Sequence, residues 1–297
     1  MFFVIPVMII LVCAVLLALR WTWRPVPVSH TIVIGGCVSR CEPFLDRVMT
    51  NILEMTAHYT DFFIVLVVAP GGDDTRVLEP WRARVGDRLL LLLMEKGDLP
   101  EPKGFTRTRN LAAARNEVLC HIRRLYRRRR FEHFVMMDMD NVCAGNIRLE
   151  AFHSVMRMAA HWDAVSFNKD DYYDLWALSF DPFFLSLYHF QPPDKTRIKK
   201  EITARLAGTT TCLLPVLSAF NGFAVYRASM FLRSRYEWDI RKSMRFLSQD
   251  DLARNSRANG GAPLRMFTLH DCEHRYFHFH AHFRLGARIF VSPMILF

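Results

Sequence analysis

This sequence predicts an α/β fold, a central sheet flanked by helices, preceded by an N-terminal transmembrane helix. Three observations carry that expectation. From His30 onward, strand-like apolar runs alternate with helix-like segments. One of those runs, HFVMMDMD at 133–140, stops abruptly in carboxylates, and in open α/β sheets ligands collect beyond strand C-termini. Ahead of them all, FFVIPVMIILVCAVLLAL from Phe2 to Leu19 is free of charge and approaches the roughly 20 residues needed to cross a bilayer.

The N-terminal run has Trp21 and Trp23 at its edge and lacks both a basic leading region and a small-x-small cleavage site. Retention as an anchor is therefore expected over removal as a signal peptide. Residues 1–28 form the expected anchor and short stem, and 29–297 one catalytic-size domain. A single-pass protein is expected, with its domain in the lumen of the Golgi or endoplasmic reticulum. Arg20 and Arg24 after the span argue, by the positive-inside rule, for the cytoplasmic side instead.

Within the domain, a strand is expected from His30 through TIVIGG and a helix over about 42–58. FFIVLVVAP at 62–70 is nearly continuous in apolar and β-branched residues, as in a strand covered on both faces. RLLLLLM at 88–94 reads as a third strand or, being so rich in Leu, as a short buried helix. The breaker-rich GDLPEPKG at 97–104 separates it from a helix over about 108–124. After the strand at 133–140 come a helix over about 149–161 and a strand over 164–167. Asn221-Gly222 between apolar segments is a turn signal. His278, His280 and His282 are expected to alternate along an extended segment.

Composition narrows the function. With 297 residues, 51% of them hydrophobic, the chain is neither a disordered tail nor a small disulfide-stapled module. Its net charge of +10 invites a guess of nucleic-acid binding. Eight of those charges, however, sit in Arg20, Arg24, Arg123, Arg124 and Arg127 to Arg130, so the remainder is near neutral and no nucleic-acid partner is expected. The arginine block is a solvated helix end or lies against anionic membrane lipid, an expected partner of an anchored protein. Cys37 and Cys41 are spaced so that they can pair in an oxidising compartment.

Asp138 and Asp140 share a side of an extended segment, and a bend at the strand end lets both approach one divalent ion. Mg²⁺ or Mn²⁺ suits such oxygen ligands and bridges readily to a diphosphate, while the bland alternative is a strand terminator. Neither G-x-G-x-x-G nor G-x-x-x-x-G-K-[ST] occurs, which removes the usual signatures of a dinucleotide enzyme or a P-loop NTPase. Gly35-Gly36 is a tight turn, or a place where a nucleotide approaches closely. Arg107, Arg109 and Arg115 pair with phosphates, or form a solvated helix face. One of His278 and His280 is a candidate third metal ligand.

AAARNEVL at 112–119, FVMMDMDNV at 134–142, NKDDYYDLWAL at 168–178, SAFNGFAVYRAS at 218–229 and DCEHRYFHFHAHFRLGARIFVSP at 271–293 together resemble the fungal capsule-associated mannosyltransferase family. More distantly they are similar to other sugar-nucleotide transferases. The resemblance spans about residues 30–293 and implies a GT-A-like, Rossmann-type mixed central sheet, with a donor nucleotide half over 29–145 and an acceptor half over 146–297. It implies metal-dependent transfer of a hexose, with GDP-mannose the leading donor, to a hydroxyl of a glycan or glycoprotein acceptor. By position, Asp138 and Asp140 hold the metal, and Arg115 and Asn116 border the donor. Where many members have an Asn-Asp-type sequence, this chain has Asp138-Met139-Asp140, which leaves the donor sugar unassigned.

On the acceptor side, aromatics stack on the C–H face of a pyranose and carboxylates accept its hydroxyl hydrogens, so Asp174 and Trp176 form a candidate sugar platform. The alternative is a hairpin with core aromatics. Asn221 and Gly222 would orient the sugar. Glu273, with Asp174, is the candidate catalytic carboxylate, acting as base toward the acceptor or stabilising positive charge at the anomeric carbon. Two rival readings are a noncatalytic carbohydrate-binding protein and a nucleotidyltransferase.

Overall fold

The computed structural model describes residues 31–70, 74–95, 107–191, 193–209, 213–265 and 269–297. The chain alternates through β1 (Thr31–Val38), α1 (Glu42–Thr56), β2 (Asp61–Val68), α2 (Asp74–Val85), β3 (Leu89–Leu93) and α3 (Arg107–Arg128). Next come β4 (His133–Asp138), α4 (Leu149–Arg157), β5 (Ala164–Asn168), α5 (Lys195–Ala207), β6 (Leu214–Val216) and β7 (Phe223–Arg227). Three short helices, α6 (Ala228–Phe231), α7 (Ile240–Met244) and α8 (Gln249–Ala258), precede α9 (Glu273–Leu285) and β8 (Ile289–Ile295).

Among the described residues, eight strands join one mixed sheet in the order β3-β2-β1-β4-β7-β5-β8-β6. The first four in that order are parallel, β7 is antiparallel to both β4 and β5, and β6 is antiparallel to β8. From β1 the chain builds outward to β2 and β3, and then β4 returns to the opposite flank of β1. Such a switch point opens a crevice beyond the C-terminal ends of β1 and β4.

The two faces of the sheet are buried separately. Val33, Val65 and Val67 pack with Val118, Leu119 and Ile122 of α3, whereas Ile32, Ile34, Ile64 and Leu66 pack with Val48, Met49 and Ile52 of α1. Neighbouring side chains along one strand thus enter opposite cores, which is why these strands read as continuous apolar runs. Each such fully buried side chain contributes about 1.5–3 kcal/mol. RLLLLLM is a strand, as its position beside β2 requires.

Gly35 and Gly36 lie inside β1 and form no turn. A Cβ on Gly35 would sit 2.5 Å from Val118 Cγ1, and one on Gly36 2.8 Å from Met139 Sδ. Their missing side chains let α3 and Met139 close onto the strand, so this pair is packing chemistry and not a nucleotide-facing loop.

The expected anchor is corrected. Among the described residues no helix is long and apolar enough to cross a membrane. Phe2–Leu19 lies outside the described residues, so the described structure gives the single-pass localisation and the membrane-lipid partner no support. Much of the arginine block is tied to protein: Arg123 Nε donates to Leu232 O at 2.8 Å, and Arg129 pairs with Asp61 at 3.0 Å over the Phe63 ring. Arg124 contacts His121 and Arg130 covers Tyr126.

The histidine-rich segment is helix α9, not a strand. Helical spacing separates His280 from His278 and puts His274 and His278 on one inward face. Both ring nitrogens of His278 are already engaged, Nδ1 with Ser218 Oγ at 2.9 Å and Nε2 with Tyr226 OH at 3.0 Å. It is a core residue and no metal ligand. His280 is half-buried, stacks on Tyr276 and does not line the cavity that holds Asp138, so neither histidine completes a metal site there.

This burial predicts acid lability. Desolvation, assisted by the Arg275 charge, lowers the His278 pKa to about 3, and desolvation lowers that of His133 to about 4. Unfolded, both rings take up protons near 6.5. The unfolded state therefore binds more protons below that value. The contribution to stability is complete above about pH 6.5 and is lost toward pH 4, by up to about 1.4 kcal/mol per pH unit for each histidine. Urea unfolding midpoints at pH 7 and pH 5 test this, and a midpoint that does not fall would contradict buried neutral imidazoles.

Candidate functional site

A cavity of about 800 Å³ opens at the switch point. The ends of the parallel strands supply Cys37, Val67, Met94 and the Asp138–Asp140 turn, the N-terminal half of α3 supplies Arg107 and Arg115, and the first turn of α9 supplies Glu273. Asp174, Trp176, Tyr173 and Tyr188 close the other side, from the segment after β5. Residues far apart in the chain converge because the switch in strand order leaves room above β1 and β4 alone.

The carboxylate turn is held from below by the Asn221-Gly222 turn. Asp138 donates its backbone N–H to Gly222 O at 2.8 Å, and the Cys143 thiol donates to the same oxygen at 3.2 Å. Asn221 and Gly222 both have positive φ, +54° and +86°. At Gly222 an added Cβ would lie 2.3 Å from Val142 Cγ1, so this position demands glycine for conformation and for space. Gly222→Ala is expected to destabilise the fold by about 1–3 kcal/mol. Chemical denaturation measures it, and a loss within experimental error of zero would contradict the close packing.

Asn221 acts through structure. Its Nδ2 donates to Phe167 O at 2.9 Å, and its backbone N–H donates to Asp174 Oδ2 at 3.3 Å. Asp174 Oδ1 also accepts from Ala177 N–H at 3.1 Å. Asp174 therefore reaches the cavity on a rigid mount.

At the centre is Arg115, 4% exposed. Its Nη2 donates to Asp138 Oδ1 and its Nε pairs with Glu273 Oε1, each at 3.0 Å, while the guanidinium lies 4.6 Å from the Phe220 ring centroid. The second oxygen of Asp138 accepts from Tyr173 OH at 3.2 Å. Asp140 caps the turn that follows, its Oδ1 accepting from Val142 N–H at 3.0 Å.

Electrostatically the cavity is short of positive charge. Asp138, Asp140, Asp174 and Glu273 all line it, with Arg115 buried among them and Arg107 exposed at its mouth. Burial raises the pKa values of Asp138 and Glu273 and Arg115 opposes both shifts, while Asp140 raises Asp138 further. Burial also raises Asp174. Cys37 and Cys41 are free thiols, raised by burial to about 12 and about 11. They form no pair.

Asp138 and Asp140 fit a hard divalent cation: two oxygen donors at one cavity, close enough for one charge to disturb the other, in surroundings where carboxylates outnumber the buried Arg115 guanidinium. No group of three or more His, Cys, Asp or Glu suited to hold a metal occurs among the described residues. The other coordination positions would fall to substrate oxygens and water.

Several expected donor-site residues stand elsewhere. Asn116 makes two hydrogen bonds to the Tyr236 backbone, both at 2.9 Å, and pins that loop to α3. Arg109 is exposed and lies against the Trp238 ring, outside the cavity lining, as is Gly35. Arg107 lines the cavity in their place.

Asp271 and Arg275 carried no expected role. Arg275 is fully buried; its Nε donates to Asp271 Oδ2 at 2.8 Å, and its other nitrogens donate to Leu178 O, Phe184 O, Ser179 Oγ and Trp176 O. One guanidinium thereby ties the helix turn that bears Glu273 to the segment that bears Asp174 and Trp176. An Asp-x-x-x-Arg spacing at a helix start was the available signal, and it is shared by many surface ion pairs. Tyr188, which meets Trp176 edge to face at 6.0 Å, lies in a stretch with no motif.

Among solved structures, the chain is similar to S. aureus TarS 1–349 in complex with UDP-GlcNAc, with a TM-score of 0.40 and 11% identity over 90% of this chain and 57% of that one. It is similar to the mannosyltransferase PcManGT from Pyrobaculum calidifontis in complex with GDP-Man and Mn2+, with a TM-score of 0.40 and 16% identity over 94% and 63%. A third is glucosyl-3-phosphoglycerate synthase from Mycobacterium tuberculosis, with a TM-score of 0.38 and 10% identity over 68% and 58%. This chain spans about three-fifths of the length of each. No family model and no curated protein matches the chain, the capsule-associated family included. The functional reading rests on the cavity residues.

Proposed function

We propose that this chain is a glycosyltransferase of the GT-A-like kind, moving a sugar from a nucleotide diphosphate to a glycan hydroxyl with a divalent cation, Mn²⁺ or Mg²⁺. The observation that carries the reading is one cavity, at the switch point of a mixed α/β sheet, with Asp138 and Asp140 at a strand end and Glu273 across from them. A hexose is the favoured sugar, with GDP-mannose, the donor that the sequence resemblance implies, the first to test. Residues 29–145 would serve the donor and 146–297 the acceptor.

Asp138 and Asp140 would hold the cation, which supplies positive charge to the diphosphate as the leaving group forms. Arg107, exposed at the mouth of the cavity, would pair with phosphate oxygens. Trp176 and Tyr188 offer an aromatic corner to a pyranose face, and Asp174, fixed by backbone donors, would accept a sugar hydroxyl. Glu273 would face the reacting carbon or the acceptor hydroxyl, its raised pKa suiting proton uptake.

A donor screen tests this: full-length protein, Mn²⁺, a panel of nucleotide sugars and a panel of glycans, read by nucleoside diphosphate release and product mass. Release of nucleoside diphosphate with a matching mass gain on a glycan is expected. Pyrophosphate release with the nucleotide retained on the product would support a nucleotidyltransferase instead. Glycan binding without turnover of any donor would support a carbohydrate-binding protein.

A further inference from the structure

Arg115 occupies an unusual place for a substrate-binding arginine. It is 4% exposed, lies over Phe220 and spends two of its nitrogens on Asp138 and Glu273, carboxylates from opposite walls of the cavity. Its Nη1 is buried with no hydrogen-bond partner among the described residues. Asp138, engaged by Arg115 on one oxygen and by Tyr173 on the other, has no oxygen free of a partner. A divalent cation approaching Asp138 therefore meets an oxygen already bound to a positive charge.

We propose that Arg115 is a resident cation that competes with the divalent metal for Asp138, so that metal entry loosens the Arg115–Asp138 pair and metal affinity is set by that exchange. Without metal, the guanidinium stabilises a cluster of carboxylates that would otherwise repel one another in a desolvated cavity. Once the metal neutralises Asp138, Arg115 keeps Glu273 as its partner and regains a free nitrogen for an anionic ligand. Donor diphosphate brings such an anion, so metal and donor would favour each other's binding through this one side chain.

The inference rests on the divalent-cation reading of Asp138 and Asp140, and calorimetric titration of the protein with Mn²⁺ alone separates the two. Arg115→Gln removes the charge at similar length and is expected to bind Mn²⁺ at least about tenfold more tightly than wild type, since a nearby positive charge opposes a dication. Arg115→Lys, which keeps the charge, is expected to stay closer to wild type. Equal or weaker Mn²⁺ binding by folded Arg115→Gln would overturn the exchange and leave the metal reading standing. Absence of Mn²⁺ binding by every variant and by wild type would overturn both. Should Arg115→Gln not fold, the wild-type Arg115 Nε–Hε resonance serves: it is expected to shift with the same midpoint as Mg²⁺ binding, and a resonance unmoved at saturation overturns the exchange.

Discussion

Asp138→Asn is expected to lower metal-dependent turnover by roughly 10³-fold or more, the scale of losing a main source of transition-state charge stabilisation. The folded structure is expected to survive. An amide oxygen can still accept from Arg115 or Tyr173, the backbone N–H to Gly222 O is untouched, and Arg115 keeps Glu273 as counter-ion. The substitution removes a charge whose pKa burial has raised, so its deletion costs the fold little. Turnover with saturating Mn²⁺ and the thermal unfolding midpoint should be measured on one preparation. Wild-type turnover in Asp138→Asn, or in the double variant with Asp140→Asn, would remove the metal role from this strand end.

Glu273→Gln should separate binding from chemistry. The side chain sits in the first turn of α9, 3% exposed, against Arg115. Gln keeps an oxygen for Arg115 and a similar volume, so affinity for nucleoside diphosphate with metal should stay within a few-fold of wild type. Transfer should fall by roughly 10²–10⁴-fold, as expected when a positioned proton acceptor or a charge facing the reacting carbon is lost. The two roles differ in what an external nucleophile can restore: azide is expected to rescue a variant that lacks only a base, and not one that lacks charge stabilisation. Unchanged transfer kinetics would take Glu273 out of the chemistry.

Periodicity made most of the parallel half of the sheet legible. Buried on both faces, its strands carry unbroken apolar runs, and β4 ends in the carboxylates that line the cavity. Glu273, Asp174, Trp176 and Arg115 were also legible as chemistry, and the structure brings all four to one cavity with Asp138 and Asp140. Asn221-Gly222 reads as a turn, but its role of gripping Asp138 from below depends on β7 pairing with β4. The histidines of α9 misled, because alternating His residues suit a strand and the helix is hidden by apolar residues on nearly all its faces. Asn116, an apparent donor contact, spends its amide on the Tyr236 backbone 120 positions away.

What the sequence by itself determined is the local chemistry: which segments are strands or helices where one period dominates, where the carboxylates fall, and that charge is concentrated in a short arginine block. What only the tertiary structure decided is which groups meet. Arg115 lies between Asp138 and Glu273, Arg275 between Asp271 and the loop bearing Trp176, and His278 between Ser218 and Tyr226. The physical reason is that periodicity is a property of neighbours along the chain. The partner of a buried charge is selected by desolvation, which leaves only pairings that the strand order can bring together.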